Sequence, residues 1–371
     1  MKRLEWLFLA LGAGLFLLLL RQFGLVSLLN SLAGQGPLFL LVLIPTAVSY
    51  LLFCFAWWLA LDPAARRELK FRYLFLVSIA GFSLNYMTPF IALGGEPLKM
   101  MLISRRLGKH RAVSSVIAYN ALHVLSHMGV FIVALVLGFW LLELTPTRVV
   151  ALGGGAAAAG LVAFALLTAH QGGLVERLFG WLGRQRLVKI RADRLASWQE
   201  RLVRYDDSVT SFYRERRGSF WLALGADFLG RAIWAMEVMV MMANVGIWLN
   251  PLRTFFAHSV SSLMQVATFF VPYELGVKEG SFYLCLKWLE ADPSYGIYLG
   301  VASRLRELIW IAGGLAIMAA LGVRRMPKLA EAPEESRGGP MLRPAAPRPR
   351  GAEFGRKAAR DEEPVLSEEA Q

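Results

Sequence analysis

Between Arg72 and Glu96 the chain reads Tyr73-Leu74-Phe75-Leu76-Val77-Ser78-Ile79-Ala80-Gly81-Phe82-Ser83-Leu84-Asn85-Tyr86-Met87-Thr88-Pro89-Phe90-Ile91-Ala92-Leu93-Gly94-Gly95. No side chain in this run is charged, and it is long enough to cross a bilayer as a helix, which takes about 20 apolar residues. The loops on either side argue against a simple crossing. Residues 62–72 carry Arg66, Arg67, Lys70 and Arg72 against Asp62 and Glu68, and residues 96–111 carry Lys99, Arg105, Arg106, Lys109 and Arg111 against Glu96. Short basic loops stay in the cytoplasm, yet these two flank one run. The conflict disappears if the run enters the membrane from the cytoplasm, turns and returns. Asn85 and Pro89, followed by Gly94-Gly95, supply the turn, since Pro removes a backbone donor and Gly frees the backbone. A broken helix is tolerated in a membrane only where it faces protein or a wet cavity, so the run predicts a polar interior as well as a turn.

The rest of the chain sets the same solvent. Of 371 residues 56% are hydrophobic and 18% charged, with a mean hydropathy of +0.48, whereas soluble domains carry about 25% charge. Further uncharged runs fill 6–20, 22–61, 112–142, 149–175 and 254–273. The reading is an all-α polytopic membrane protein. A net charge of +13 suits nucleic acid in a soluble domain, but here the basic residues fall between hydrophobic spans, so no nucleic-acid partner is expected. Cys54 and Cys285 lie far apart inside apolar stretches and give neither a disulfide framework nor a metal site. No phosphate-binding loop, dinucleotide fingerprint or nucleophile elbow occurs, and no cofactor is expected.

Threading by loop charge gives about six full spans, 6–20, 22–61, 112–142, 149–169, 218–250 and 295–323, plus two broken or re-entrant segments, 73–95 and 254–290. The basic 170–217 stretch and Arg324, Arg325 and Lys328 then lie in the cytoplasm. This predicts a multi-pass protein of a cell inner membrane with both termini cytoplasmic. Lys2-Arg3 and the run 6–20 lack a small-x-small cleavage pattern, so a retained first span is expected. Residues 1–323 form the membrane domain. Residues 324–371, rich in Pro, Glu, Arg and Gly, read as a disordered tail. Leu195, Trp198, Leu202, Tyr205, Val209 and Phe212 recur at helical spacing, predicting an amphipathic helix within 174–217 that either meets the anionic inner leaflet or packs across the bundle.

The two broken segments share a motif. Pro89-Phe90-Ile91-Ala92-Leu93-Gly94-Gly95-Glu96 and Pro272-Tyr273-Glu274-Leu275-Gly276-Val277-Lys278-Glu279 each place a Glu seven residues after a Pro, with Gly between. One enters from inside and the other from outside, the pattern of an inverted repeat whose broken helices meet at a midplane site.

Ionisable residues within spans are expensive and mark candidate sites. Asp227 and Arg231 stand at i, i+4 and are expected to pair, with Glu237 on the same span. Arg304 and Glu307 stand at i, i+3 and are likewise expected to pair, with Trp310 covering Arg306. Glu274, Lys278 and Glu279 beside Gly276 predict mutual pairing around a polar cavity, as do Glu96 and Lys99. Each set also has a plainer reading as a neutralised packing pair or a surface loop. His123 and His127 have a zinc-compatible i, i+4 spacing but no third ligand, and bonding to neighbours is the expectation.

Asn85 to Pro89 with Gly94-Gly95-Glu96-Pro97-Leu98-Lys99, then Pro272 through Gly280, then Arg304-Leu305-Arg306-Glu307-Leu308-Ile309-Trp310 resemble the transmembrane domain of the lysylphosphatidylglycerol synthase family, flippase-like integral membrane proteins. The resemblance implies movement of a lipid with a modified headgroup between leaflets. Arg304, Arg306 and Lys278 would hold the lipid phosphate, and Glu96, Glu274 and Glu279 would meet a cationic or hydroxylated headgroup or a coupling proton. In the full synthases a soluble C-terminal domain transfers lysine from its tRNA to phosphatidylglycerol; residues 324–371 stand in its place, so that transfer is not expected. The alternatives are an intramembrane lipid-modifying transferase using Glu274 or Glu279 as general base, and a non-catalytic partner of a lipid or polysaccharide synthase.

Overall fold

The computed structural model describes residues 30, 36–87, 95–172, 215–269, 271 and 274–322, all within one unit, Met1–Leu329. Pro89, Gly94, Pro272, the run 6–20, the amphipathic segment up to residue 214 and the tail after 322 lie outside the described residues. Among the described residues every regular element is helical. A 3-10 stretch, Gly36–Val42, runs into α1 (Leu43–Ala60). There follow α2 (Pro63–Glu68), α3 (Phe71–Met87), α4 (Gly95–Leu107), α5 (Lys109–Leu141), α6 (Pro146–Gly172), α7 (Arg217–Asn244), α8 (Pro251–Ala267), α9 (Val277–Trp288) and α10 (Tyr295–Ala320).

Three helical stretches, Leu38–Ala60, Lys109–Leu141 and Pro146–Ala165, are long and apolar enough to cross a membrane. Helices α7 and α10, of 28 and 26 residues, reach about 42 and 39 Å at 1.5 Å per residue. They match a bilayer in length but carry charges in mid-helix. The chain is an all-α polytopic membrane protein. The short α2 is set by its sequence: Asp62 caps it, accepting from the Ala65 amide at 2.8 Å, and Pro63 opens the first turn. Arg111 then holds Asp62 at 3.2 Å and Glu68 at 2.7 Å, which fixes the start of α5 against α2. Partial burial works against ionisation of Asp62, but the Ala65 amide and Arg111 hold its carboxyl below the ordinary value of 3.8.

Each broken segment folds as a helical hairpin. In the first, the Tyr73 hydroxyl donates to the Leu102 carbonyl (2.9 Å) and the Gly95 amide donates to Asn85 Oδ1 (2.7 Å), so α3 and α4 run antiparallel. In the second, the Ser261 and Ser281 hydroxyls lie 2.6 Å apart while Ala257 shares a core cluster with Cys285, and α8 and α9 are antiparallel too. The first helix of each hairpin packs on the helix that follows the other. Ser83 of α3 donates to the Trp310 carbonyl of α10 (2.9 Å), and His127 of α5 lies 3.2 Å from Ser262 of α8.

Between the hairpins α1 and α7 pack along their lengths in opposite directions. Asn244 donates to the Leu38 carbonyl (3.4 Å), Tyr50 and Phe53 meet Trp234 with ring centroids 5.6 and 5.9 Å apart, and Arg216 donates to the Leu61 carbonyl (2.7 Å). Exchanging α1, α3, α4 and α5 with α7, α8, α9 and α10 maps most of this packing onto itself, the closer contact of α5 with α7 than of α10 with α1 being the exception. Because the equivalent helices α1 and α7 are antiparallel, the axis relating the halves runs across the helices near Tyr50 and Trp234. In a bilayer such an axis lies in the membrane plane, the arrangement of an inverted repeat. Helix α6 stands outside the exchange: it packs chiefly on α5 and exposes Val150, Leu161 and Phe164.

The α9–α10 contact depends on a missing side chain, since a Cβ on Gly296 would stand 2.2 Å from the Tyr283 backbone nitrogen, whereas a Cβ on Gly313 would meet nothing within 4 Å. Gly296→Ala should therefore lower the midpoint of thermal unfolding in detergent, by the equivalent of about 1–3 kcal/mol for overpacking. Gly313→Ala should leave it unchanged or raise it, and equal midpoints for the two variants would contradict the close approach.

Candidate functional site

The two hairpins and the α1–α7 pair enclose a cavity of about 1130 Å³. One wall carries Asn85, Glu96, Lys99, Asn120, His123 and Arg231, and the other carries Trp234, Glu237, Lys278, Arg304, Arg306 and Glu307. Phe53, Phe82, Tyr86 and Tyr119 add aromatic rings to the lining. Charged groups that the sequence spreads over 211 positions, from Glu96 to Glu307, thus share one space.

On the first wall, Glu96 sits in the opening turn of α4, where a carboxylate suits the helix dipole. Its Oε1 accepts from Lys99 Nζ at 2.9 Å, and its Oε2 accepts from Asn120 Nδ2 at 2.8 Å. Lys99 is 1% exposed. Its ammonium stands 4.5 Å from the centre of the Phe82 ring, with Trp57 and Tyr119 at 5.8 Å, and this aromatic box replaces part of its hydration. Gly81 makes room for it, because a Cβ there would lie 2.5 Å from Lys99 Cε. Nearby, Asp227 Oδ1 and Oδ2 lie 3.2 Å from Arg231 Nε and 2.7 Å from His123 Nδ1, while Arg231 also donates to the His123 carbonyl at 3.0 Å. Asp227 is fully buried and holds both cavity-facing partners from behind.

The second wall is denser. Glu279, also fully buried, takes a two-pronged contact from Arg304, Nε to Oε1 at 2.9 Å and Nη2 to Oε2 at 3.3 Å. Gly300 permits it, since a Cβ there would stand 2.6 Å from Glu279 Cγ. Arg304 Nη2 donates further to the Glu274 carbonyl at 3.0 Å, which steadies a residue whose φ of 52° lies in the left-handed region. Gly276, at φ 75°, then opens α9. Lys278 reaches Glu307 at 2.6 Å and Glu274 at 3.3 Å. Arg306, 3% exposed, lies 3.1 Å from both Glu237 and Glu307, beneath the Trp234 ring at 5.2 Å.

Of the expected pairs, Asp227–Arg231, Glu96–Lys99 and Glu274–Lys278 form. Two differ. Arg304 turns to Glu279 rather than to Glu307, because α9 delivers a carboxylate to the face where Arg304 emerges, and Glu307 is taken by Lys278 and Arg306. Arg306 is covered by Trp234 of α7 rather than by Trp310, whose indole donates to Thr46 on α1 at 3.3 Å. Both histidines bond to neighbours, His123 to Asp227 and His127 to Ser262. Sequence reasoning passed over Asn120, Trp234, His258, Ser259 and Ser303. Asn120, His123 and His127 fall at helical spacing on one face of an apolar helix, a stripe that could have revealed the first. The others give no local signal.

Fold and site define an all-helical polytopic membrane protein whose two inverted hairpins close on a charged cavity. A model of the lysylphosphatidylglycerol synthase TM region matches residues 6–314, and the chain belongs to that family. Comparison with curated proteins and with solved structures finds no match.

The position of Asp227 behind the cavity makes a measurable difference. Asp227→Asn should destabilise by about 3–5 kcal/mol, since it leaves the Arg231 guanidinium buried without its carboxylate. The double change Asp227→Leu with Arg231→Leu should recover most of that in thermal unfolding. A single variant as stable as wild type would show that Arg231 is neutralised from elsewhere.

Proposed function

We propose that this chain is a lipid translocase of a cell inner membrane that moves a lipid with a phosphate-bearing or modified headgroup between leaflets. The charged cavity supports this reading above all. It is walled by both halves of the repeat inside a body whose outer surface is apolar, and a polar headgroup crossing hydrocarbon needs such a path. The headgroup first meets Arg304 and Lys278 beside Glu274. Of the second-wall cations Arg304 is the most exposed, at 24%, and its planar fork engages two phosphate oxygens at once. The phosphate takes the place of Glu279 or Glu274 on these cations, and the displaced carboxylate becomes able to accept a proton. Glu96 and Lys99 offer the equivalent exchange in the other half, with Asn85, Gly95, Asp227 and Arg231 shaping that wall. The general-base alternative starts from carboxylates that already face a cation, Glu279 with Arg304 and Glu274 with Lys278.

Leaflet exchange of a headgroup-labelled lipid in proteoliposomes tests this. Arg304→Lys keeps a positive partner for Glu279, so the protein should stay folded while exchange falls at least tenfold, the factor that about 1.4 kcal/mol represents. Arg304→Gln should lose exchange as well. Wild-type exchange by both variants would remove the phosphate role, and no exchange by the wild-type protein for any phospholipid would remove the function.

The threading adds an orientation to this proposal: both termini in the cytoplasm, 73–95 re-entrant from that side, and the basic 174–217 segment on the anionic inner leaflet. In a background lacking Cys54 and Cys285, single cysteines within 62–72 and at the exposed positions 105, 106 and 108–110 should react with an impermeant reagent only after permeabilisation. Labelling of either loop in intact cells would overturn the re-entrant path.

A further inference from the structure

Around Glu237 the second wall differs from the rest of the cavity. Arg306 and Lys278 face Glu237 and Glu307, so the four charges cancel, and an added anion would find no surplus positive charge there. Hydrogen-bonding capacity nevertheless remains. Among the described residues Arg306 Nε, Ser303 Oγ, Ser259 Oγ and His258 Nδ1 are buried atoms with no hydrogen-bond partner. Arg306 Nη1 is in the same position despite its ion pair with Glu237, since its N–H groups are not directed at the carboxylate.

All four residues line the cavity. Ser303 stands one helical turn before Arg306 on α10, and His258 adjoins Ser259 on α8. His258 Nδ1 lies 3.8 Å from Glu237, the carboxylate that also holds Arg306. Trp234 sits beside both groups, its ring centroid 6.4 Å from that of His258 and 5.2 Å from the Arg306 guanidinium. Ser259 and Ser303 are 1% and 2% exposed. A buried hydroxyl without a partner is destabilising by about 1–3 kcal/mol, so each of these groups calls for a partner that the chain itself does not supply.

We infer that Arg306, Ser303, Ser259 and His258 form a subsite for the uncharged, hydroxyl-bearing part of a lipid headgroup, a polyol or sugar, whose oxygens accept from Arg306 and exchange hydrogen bonds with both serines. Neutral hydroxyls are the chemistry that fits: they add no charge to a balanced cluster and both donate and accept. The subsite deepens the translocase reading and rests on it for the headgroup's entry. It separates the roles of the two arginines, Arg304 for the phosphate and Arg306 for the hydroxyls.

The test uses the full chain in detergent and two short-chain lipids of equal charge. Phosphatidylglycerol carries two hydroxyls beyond its phosphodiester; phosphatidylmethanol carries none. Wild-type protein should bind the first more tightly, measured by titration calorimetry. Ser303→Ala with Ser259→Ala should weaken phosphatidylglycerol by about five- to tenfold, the size of one or two neutral hydrogen bonds, and leave phosphatidylmethanol within about twofold on the same scale. Arg304→Lys should weaken both lipids equally.

The paired serine variant should also unfold no earlier than wild type without lipid, because it removes two unsatisfied hydroxyls. Equal affinity of wild type for the two lipids, equal losses in the serine variant, or failure to bind either lipid would overturn the subsite. So would early unfolding of the serine variant, which would give the hydroxyls a structural partner. Displacement of phosphatidylglycerol by free methyl glucoside at matching concentration would assign the site to a soluble polyol and overturn the lipid assignment. If both lipids bind as expected but neither crosses between leaflets in proteoliposomes, the translocase reading fails while the subsite stands.

Discussion

A charge inside hydrocarbon has to be neutralised by another part of the same chain, and in this protein that requirement ties the helices together. Asp227 joins α7 to His123 on α5, Glu96 joins α4 to Asn120 on α5, Glu279 joins α9 to Arg304 on α10, and Glu237 joins α7 to Arg306 on α10. Each link costs desolvation of both partners. The net gain over an apolar pair is therefore small, while removal of one partner is severe. Such links contribute little to the strength of the fold, but each ties a carboxylate on one helix to a partner on another. The apolar clusters around Trp57 and Leu102, and around Met241 and Tyr298, do the bulk of the packing.

The two halves share a frame and differ in what they hang on it. Glu96 and Glu279 both stand in the first turn of the second hairpin helix, and each is held by a residue on the helix that follows, Asn120 at 2.8 Å and Arg304 at 2.9 Å. A neutral amide in one half and a guanidinium in the other give the same geometry with different charge. Near the axis, Tyr50 meets Trp234 and Trp310 edge-on, with ring centroids 5.6 and 4.7 Å apart. A duplicated frame allows two equivalent hairpin movements, whereas unequal walls make the two ends of a bound molecule distinguishable.

How much of this was legible in the sequence follows from the range of each interaction. Asp227–Arg231 and Glu96–Lys99 could be read because helical spacing alone brings them together. The break after Asn85 could be read, because helix breakers within the run are local facts, but the returning arm could not: 96–111, taken for a cytoplasmic loop on its basic residues, begins with α4, in which Lys99 and Leu102 are buried. Arg304 was misassigned by the same logic: its i+3 neighbour Glu307 was available, but Glu279, 25 residues earlier, arrives through the α9–α10 contact that Gly296 and Gly300 allow. Trp234 over Arg306 is likewise a consequence of α7 lying across α10, which no spacing in either helix encodes. Ser259 and Ser303 were invisible for a different reason, since a serine in an apolar helix ordinarily bonds to its own backbone, and only the fold shows that these two do not.

The exposure of the charged groups grades along the second wall in a way that bears on passage of a headgroup. Glu274 is 40% exposed, Lys278 9%, Glu307 14%, Arg306 3% and Glu237 2%. Each cation lies within reach of an acid belonging to the next, so Lys278 bridges Glu274 and Glu307, and Arg306 bridges Glu307 and Glu237. In a ladder of this kind Glu307 keeps one of its two cations when a polar molecule engages the other, which avoids the several kcal/mol that an unpaired ion costs in a low-dielectric interior. The proposed translocation uses the ladder in that sense, exchanging the partners of Lys278 and Arg306 around Glu307. The ladder ends at Glu237 and Trp234, beside the axis that relates the two halves, so a headgroup at its inner end stands where both hairpins can reach it.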